Sequence, residues 1–590
     1  MNTKSNDIRS FDGFILTIAL IPLFWILGIK FFIFHLASLV LFVNVIINKK
    51  RNNLKVKYNK LHYILLFFIL SYSLSIILNF NMEDIKRIIA SVYNLSYWIM
   101  GLLIMISFYN IDIKIKDINF ISNSIKLVLL FQILLLIVGV CLWIFGIKNL
   151  QISSLIGAFL NSNIDLLQDS ISTKFYISQW DSGKEVLRFI GVSIYPTACA
   201  LIVGVMMVYS CINIKSNKFR VFIICASYIL VLATRSRTVI VALPLSIIII
   251  LAIFYFNDIK QLIIKNKKIA LAIFMLFVIG LFTIVFRYGI IDKFIFGREG
   301  SNNARMQIYK ETINIFLQNK FIGSGYKIYL PNLDVPIGSH STYLSVLMKT
   351  GLIGFTMFVL FIVMLGKVWI DEIKVFKNEK NTELKLLHIC TGITMLLYSI
   401  WFITEDIDAP QIACLLFFIN ASIINGLDKL RLECKKNDYS KINICFVGSS
   451  GGHLTHLMQL KPWWKDKKRF WVTFNKADAI SQLTDEKTYW CYYPTNRNIK
   501  NLFRNTLLAI RILAIEKPDL VVSSGAAPAI PYYYLGKFIG CKLVYIEVYD
   551  RIDSPTVTGK LVYPLCDKFI VQWDEQLNYY KNAENFGGLF

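Results

Sequence analysis

Four short runs of this sequence carry side chains suited to chemistry on an anionic substrate. Thr234-Arg235-Ser236-Arg237 places two guanidinium groups on one turn between apolar stretches. Guanidinium is always charged and meets a phosphate with a bidentate fork, so these arginines either snorkel to lipid phosphates or clamp a substrate anion. Asn303-Ala304-Arg305 adds a third arginine, heading a stretch in which Met306, Tyr309, Ile313 and Phe316 share one helical face. That spacing predicts an amphipathic helix lying on the outer leaflet. Phe321-Ile322-Gly323-Ser324-Gly325 then turns, and Ser339-His340-Ser341-Thr342-Tyr343-Leu344 leads into the next apolar run. A histidine at a helix mouth is either a cap or, on the same face as several arginines, a general base near neutral pH. Thr404-Glu405-Asp406-Ile407-Asp408 is an acidic turn. It is either a solvated loop, or Glu405 or Asp406 orients an arginine or the histidine, as a carboxylate fixes a catalytic imidazole. A fifth run, Gly448-Ser449-Ser450-Gly451-Gly452-His453, lies between a β-rich and an amphipathic stretch. A glycine turn there aims backbone N–H groups and a positive helix end at an anion. It departs from GxGxxG, so no dinucleotide fingerprint is supported. A tight turn alone accounts for the glycines, but not for His453 at the helix start.

The elements that must position these groups follow from composition. The chain has 590 residues, 56% of them hydrophobic, against about 45–50% in ordinary globular domains. Its apolar residues arrive in runs of about 15 to 25, which excludes one large soluble domain and predicts a polytopic α-helical membrane protein. About twelve spans are expected, near 13–28, 30–47, 61–80, 92–109, 123–146, 190–213, 220–234, 237–256, 268–287, 342–367, 387–404 and 408–426. The first has Asp7 and Asp12 beside Lys4 and Arg9 and is followed at once by another apolar run, so it reads as a retained helix. Lysine and arginine in short loops are held on the cytoplasmic side. The loops 49–60, 215–220 and 260–268 are basic, which places both termini inside and the long loops 147–189 and 288–341 outside. The formal net charge of +25 would suggest a nucleic-acid partner in a soluble chain. Here the excess gathers in cytoplasmic loops, so no nucleic acid is expected, and the few arginines on the outer face stand against the charge rule.

Residues 1–427 thus form a membrane domain, and 428–441, with Lys429, Arg431, Lys435 and Lys436, a charged juncture. Residues 442–590 alternate strand and helix patterns. INICFVG (core 443–448), RFWVTF, DLVVSS and KLVYIE read as buried strands, with helices beginning near His453, Asn498, Pro528 and Thr556. This predicts a doubly wound, Rossmann-like α/β domain on the cytoplasmic side. The eleven cysteines avoid the long outer loops and show no metal spacing, so neither disulfides nor a metal site are expected. His456, one turn after His453, reads as structural.

In the membrane domain the ordered series of motifs resembles the O-antigen polymerase and O-antigen ligase family of bacterial membrane glycosyltransferases. The series is Arg188-Phe-Ile-Gly191 with Pro196, Thr234 to Arg237, Arg305 with Tyr309, Gly323-Ser-Gly325, His340 to Leu344, and Gly351-Leu-Ile-Gly354. The resemblance covers residues 10–427 and is clearest from 188. It implies transfer of a glycan from an undecaprenyl pyrophosphate carrier to an acceptor hydroxyl on the outer face, by a polymerase or a ligase, with no cofactor. Arg237 and Arg305 would neutralise the carrier pyrophosphate, and His340 would take the acceptor proton. Arg188 would contact phosphate or sugar, and Arg235 could exchange roles with Arg237. Thr342 stands where the family often has Asn.

Residues 442–590 resemble the acceptor-binding half of a GT-B glycosyltransferase, as in the membrane-associated subunit of two-subunit capsule enzymes and its eukaryotic dolichol-linked N-acetylglucosaminyltransferase relative. Gly448 to His453, Ser524-Gly525-Ala526-Ala527-Pro528 with Pro531, Tyr545-Ile546-Glu547, Arg551, and Gln572-Trp573 through Phe590 carry the likeness. It implies that Gly448, Gly451 and Gly452 receive a lipid-linked diphosphate acceptor with His453 near the reacting hydroxyl. Ser524 and Gly525 would line the cleft, and Glu547 and Arg551 would form its far wall. A second βα domain for the sugar nucleotide does not follow before Phe590, so a small donor-binding glycosyltransferase subunit is expected as a partner, within a polysaccharide assembly machinery. The competing reading is a polysaccharide flippase with a C-terminal docking domain. It would place its charges within the spans, facing a central passage. A third makes the tail a structural adaptor.

Overall fold

In a bilayer every backbone polar group must be satisfied internally, and the apolar runs accordingly fold as helices. A computed structural model describes residues 4–29, 33–148, 152–154, 172–181, 184–256, 258, 299–330, 335–408, 410–427, 429, 442–495 and 498–589. Its contacts divide the chain into two units, Thr3–Asp112 with Ser124–Arg431, and Ile113–Asn123 with Leu432–Phe590.

The first unit contains α1 (Lys4–Ala19), α2 (Ile21–Leu27), α3 (Ile33–Arg51), α4 (Lys60–Leu78), α5 (Ile85–Asn110), the part of α6 (Ile115–Ile144) from Ser124 onward, α7 (Pro196–Ser210), α8 (Asn217–Thr234) and α9 (Arg237–Phe254). Four further helices follow: α10 (Glu299–Gln318), α11 (Thr342–Asp371), α12 (Thr382–Thr404) and α13 (Gln411–Asn425). Among the described residues eight helices are long and apolar enough to cross a membrane, or nine if the pair α1–α2, bent by 60°, counts as one span. The chain is a multi-pass membrane protein. Eleven of the twelve expected spans fall on a helix, while the one near 268–287 lies outside the described residues. The lower number has a physical reason. Helices α7 and α13 have 15 residues each, roughly 22 Å at 1.5 Å per residue, against a hydrocarbon core of about 30 Å. Both are buried along nearly all their length.

One helix is interrupted. Gly351, inside α11, has φ 61° and ψ −166°, and a Cβ there would lie 2.3 Å from the Phe321 carbonyl carbon. The segment 320–325 repairs the break. Ser324 and Gly325 N–H groups donate to the Met348 and Lys349 carbonyls, each at 2.9 Å, and Leu352 N–H donates to the Lys320 carbonyl at 2.8 Å. Ser75 Oγ donates to the Lys349 carbonyl and Ser91 Oγ to the Gly325 carbonyl, both at 2.6 Å. Irregular backbone at this depth is tolerated because protein groups satisfy it.

Helix α10 has two sides: Met306 and Ile313 are exposed and Tyr309 and Phe316 half-buried, while Ile308 and Thr312 are buried. The helix turns its Arg305, Tyr309 and Thr312 side toward the protein. Tyr309 Oη donates to the His340 carbonyl at 2.7 Å, and Gly338 N–H donates to Thr312 Oγ1 at 3.0 Å.

In the second unit, β3 (Asn443–Val447), β4 (Lys468–Phe474), β5 (Thr488–Cys491), β6 (Leu520–Ser523), β7 (Lys542–Ile546), β8 (Lys568–Val571) and β9 (Glu584–Asn585) follow a hairpin of the first unit, β1 (Tyr176–Asp181) and β2 (Lys184–Phe189). The seven strands form one parallel sheet in the order β9-β8-β7-β6-β3-β4-β5. Alternate residues face opposite ways. Cys445 and Val447 meet Ala509 and Ile512 of α15 (Ile499–Glu516) and Tyr532 of α16 (Ala529–Phe538) on one side, while Ile444 and Phe446 meet Leu454 and Leu457 of α14 (Gly452–Gln459) on the other. The sheet is doubly wound as expected, and α17 (Val557–Val562) follows β7. The sequence reading did not anticipate β5, β8 and β9. Strand order reverses between β3 and β6, where open α/β sheets bind ligands beyond the strand carboxyl ends.

Candidate functional site

In the first unit, helix ends converge on one cavity. Thr342 N–H, at the start of α11, donates to the Glu405 carbonyl after α12 at 2.9 Å. Thr238, early in α9, and Thr404, at the end of α12, share a hydroxyl bond of 2.9 Å. Arg188 Nε, on β2, donates to the carbonyl of Thr234 at the end of α8 at 3.1 Å. These contacts enclose a cavity of about 450 Å³ lined by Arg188, Arg235, Arg237, Arg305, His340, Glu405 and Asp406. All seven membrane-domain residues expected from the sequence are therefore brought together, from segments as far apart as β2 and the turn after α12.

The sequence reading missed Lys327, Tyr195, Thr197 and Gln179, which also line the cavity. Lys327 follows the Gly323-Ser-Gly325 turn by two residues, which was its one local signal. Its ammonium pairs with Asp406 and, at 3.2 Å, with Asp408. Asp408 in turn pairs with the buried Lys349. Burial alone would raise the Asp408 carboxyl, but the Lys349 and Lys327 ammoniums override it and hold it well below the usual range. The acidic turn is thus no solvated loop: Glu405, Asp406 and Asp408 are all buried.

His340 sits at φ 66°, the left-handed region, just before α11. Its Nδ1 lies 4.0 Å from Glu405 Oε2, and Arg305 Nη2 bonds Glu405 Oε1 at 3.2 Å. Burial, helped by the Arg305 and Lys327 charges, lowers the imidazole to about 4. His340 is therefore neutral at physiological pH, with a lone pair to accept a proton. Burial raises the Glu405 carboxyl, opposed by Arg305 and by the Thr197 hydroxyl. Five cationic side chains face two carboxylates, an excess suited to a dianionic or trianionic group. Such an arrangement can hold a diphosphate and remove a proton beside it.

In the second unit, the segments following β3, β6 and β7 share the carboxyl edge of the parallel sheet. His453 Nδ1 lies 3.0 Å from the Ser524 carbonyl, and Ser524 Oγ donates to the His453 carbonyl at 2.8 Å. A carbonyl only accepts, so Nδ1 carries the proton and Nε2 is the acceptor. Burial lowers the His453 imidazole, the Ser524 bond opposing. Gly525, at φ 132°, makes room: a Cβ there would lie 2.6 Å from His453 Cε1. His453, Ser524 and Gly525 are thus brought together.

Two expectations need correction. Gly448 N–H donates to the Val472 carbonyl at 3.1 Å and Gly451 N–H to Asp478 Oδ2 at 2.6 Å. Those two donors are spoken for, one by the adjoining strand and one by a carboxylate. Glu547 is 1% exposed and does not form a cleft wall. It accepts from Thr556 Oγ1 at 2.9 Å and Tyr580 Oη at 2.8 Å, tying α17 to the sheet. Arg551 is exposed on the turn after β7, near Ser554 Oγ at 3.4 Å. His456 is buried, as a structural histidine is.

Comparison with known proteins follows the same division. Residues 221–359 match the family model described as O-antigen ligase, and residues 491–589 match that of oligosaccharide biosynthesis protein Alg14 like. The first match includes Arg235, Arg237, Arg305, Lys327 and His340. The chain is 29% identical over 180 residues to the UDP-N-acetylglucosamine transferase subunit alg14 of Schizosaccharomyces pombe, covering 26% of this chain and 85% of that protein. It is 38% identical over 162 residues to the corresponding subunit of Debaryomyces hansenii, covering 26% and 66%, and 24% identical over 179 residues to that of Homo sapiens, covering 25% and 83%.

Proposed function

We propose that this chain, which joins an O-antigen ligase segment to an Alg14-like subunit and is a glycosyltransferase by both, builds bacterial surface polysaccharide from lipid-linked intermediates at two sites. The cavity of the membrane unit transfers a glycan from undecaprenyl pyrophosphate to an acceptor hydroxyl on the outer face of the cell membrane, extending a chain or attaching a finished one. Arg188, Arg235, Arg237 and Arg305 hold the diphosphate. The acceptor oxygen bonds to the anomeric carbon, the bond from that carbon to the diphosphate oxygen breaks, and the electron pair leaves on the diphosphate. The acceptor proton passes to His340. An arriving diphosphate offsets the Arg305 and Lys327 charges that depress His340, so the base strengthens when substrate is bound.

The observation that supports this reading is the convergence of four arginines and a neutral histidine on one cavity. Orientation is supported by α8, which runs from the basic segment Lys215 to Arg220 to the cavity at Arg235. Basic loops stay cytoplasmic, so the cavity faces out and both termini face in. The second unit acts on a lipid-linked acceptor in the cytoplasm, with His453 at the reacting hydroxyl. Its relatives are named as transferase subunits, which supports a separate donor-binding partner presenting the nucleotide sugar.

Replacing His340 or Arg305 with Ala should abolish long polymer while lipid-linked repeat units accumulate. Full-length polymer from both variants would sink the outer-face mechanism. Deleting residues 437–590 should instead stop repeat-unit assembly.

A further inference from the structure

Helix α15 has two apolar faces, and the sheet uses only one. At about 100° per residue, Asn501, Asn505, Ala509, Ile512 and Leu513 form the stripe buried against the sheet. On the outward side, Ile499 is 82% exposed, Phe503 65%, Leu507 53% and Ile510 49%. Their spacing of four, four and three residues puts them on one stripe. Lys500, Arg504 and Arg511 are exposed and share the flank beside it. From Cys491 to Ile515 the sequence contains no acidic residue. The next, Glu516, is taken by Tyr489 and by Lys487 at 2.6 Å. Tyr492 and Tyr493, just before the helix, are also exposed, with the Arg504 guanidinium 5.5 Å from the Tyr492 ring.

An exposed apolar stripe of this length on a soluble-type domain calls for a cover. Apolar side chains bordered by lysine and arginine, with tyrosines at the end, are the composition of a helix lying in a membrane interface. A protein partner would need an acidic strip to match the flank, whereas an anionic leaflet matches it everywhere. The domain is also joined to membrane-spanning helices by a short stretch of chain, so a bilayer is always within reach. We propose that the outward face of α15 is a lipid-binding site for anionic headgroups, with Ile499, Phe503, Leu507 and Ile510 entering the acyl boundary and Lys500, Arg504 and Arg511 meeting phosphates.

The placement has a consequence. Helix α15 follows β5, so its first turn lies at the carboxyl edge of the sheet, the edge that carries His453 and Ser524. A bilayer held there lies beside the mouth of the cleft. The lipid contact itself stands whether or not the cleft is catalytic.

The test uses the full chain in nanodiscs with Phe503→p-benzoylphenylalanine, irradiated in phosphatidylcholine alone or with added phosphatidylglycerol. Lipid adducts are read by mass spectrometry of the α15 peptide. A second variant, Val557→p-benzoylphenylalanine, reports another exposed apolar position, 76% accessible. The expected result is a lipid adduct at 503 but not at 557. It should rise several-fold with phosphatidylglycerol and fall back on addition of salt or with Arg504→Glu and Arg511→Glu together. Equal labelling at both positions, labelling indifferent to phosphatidylglycerol, or cross-links from 503 to protein instead of lipid would each overturn the proposal.

Discussion

His340 is held by its backbone before its imidazole does anything. The left-handed φ of 66° costs an L-residue about 1–2 kcal/mol, and the 2.7 Å bond from Tyr309 to its carbonyl helps keep it there. The imidazole, lowered to about 4 by burial first and then by Arg305 and Lys327, stays neutral through the range where an ordinary histidine titrates near 6.5. The acid limb of kcat/KM, which reports the free enzyme, should therefore fall near pH 4. Lys327→Met removes one depressing charge and should move that limb upward, only part of the way because burial is the larger cause; an unmoved limb would mean that Lys327 does not set His340. Stability follows the same linkage. With the folded value below the unfolded one, the unfolded chain binds more protons between about pH 4 and 6.5, so acidification through that window should weaken the fold. The arginines were legible in the sequence because they break the charge rule for outer loops. Lys327 was not, because its meaning depends on Asp406 and Asp408, some eighty residues away. Glu547 was legible as a special residue but not as a buried anchor, since the Thr556 and Tyr580 hydroxyls that satisfy it are a matter of folding.

At the scale of elements, the membrane site depends on an interrupted helix. The stretch from Thr342 to Asp371 reads as one apolar run, yet the break at Gly351 seats the 320–325 turn that leads to Lys327. Gly351→Ala would force an alanine into φ 61° with its Cβ 2.3 Å from the Phe321 carbonyl carbon, costing about 1–2 kcal/mol for the backbone alone. Thermal unfolding in detergent should shift down by at least ~1 °C, and polymer yield should fall with it. An unshifted transition with normal polymer would show that the turn does not need the break. Runs of apolar residues report where helices lie, so eleven expected spans fall on helices. They do not report a break inside a run, nor that α7 and α13 are short helices buried among others. In the second unit the hydrophobic strands β3, β4, β6 and β7 were legible. The short β5, β8 and β9 were not, being four residues or fewer with partly exposed faces, where parallel pairing with a neighbour decides what propensity leaves open.

Among the described residues two polar sites stand out, each on its own core. The membrane cavity is built wholly within the first unit. His453, Ser524 and Gly525 at the β3–β6 reversal lie wholly within the second, on a sheet whose two faces are covered by helices. On the proposed function the two sites act in series on one lipid-linked glycan: the second unit makes what the cavity of the first consumes. Serial action has a signature that parallel action lacks. Alone, His340→Ala should leave lipid-linked repeat units to accumulate, because their formation precedes the lost step. Alone, His453→Ala should leave neither repeat units nor polymer, because the supply stops. The double variant should then look like His453→Ala, with no accumulation, since a block upstream hides one downstream. Thin-layer or mass-spectrometric analysis of extracted lipid-linked sugars separates these outcomes. Repeat units that still accumulate in the double variant would mean that the Alg14-like unit does not feed the cavity to which it is joined, and that the fusion serves two separate products.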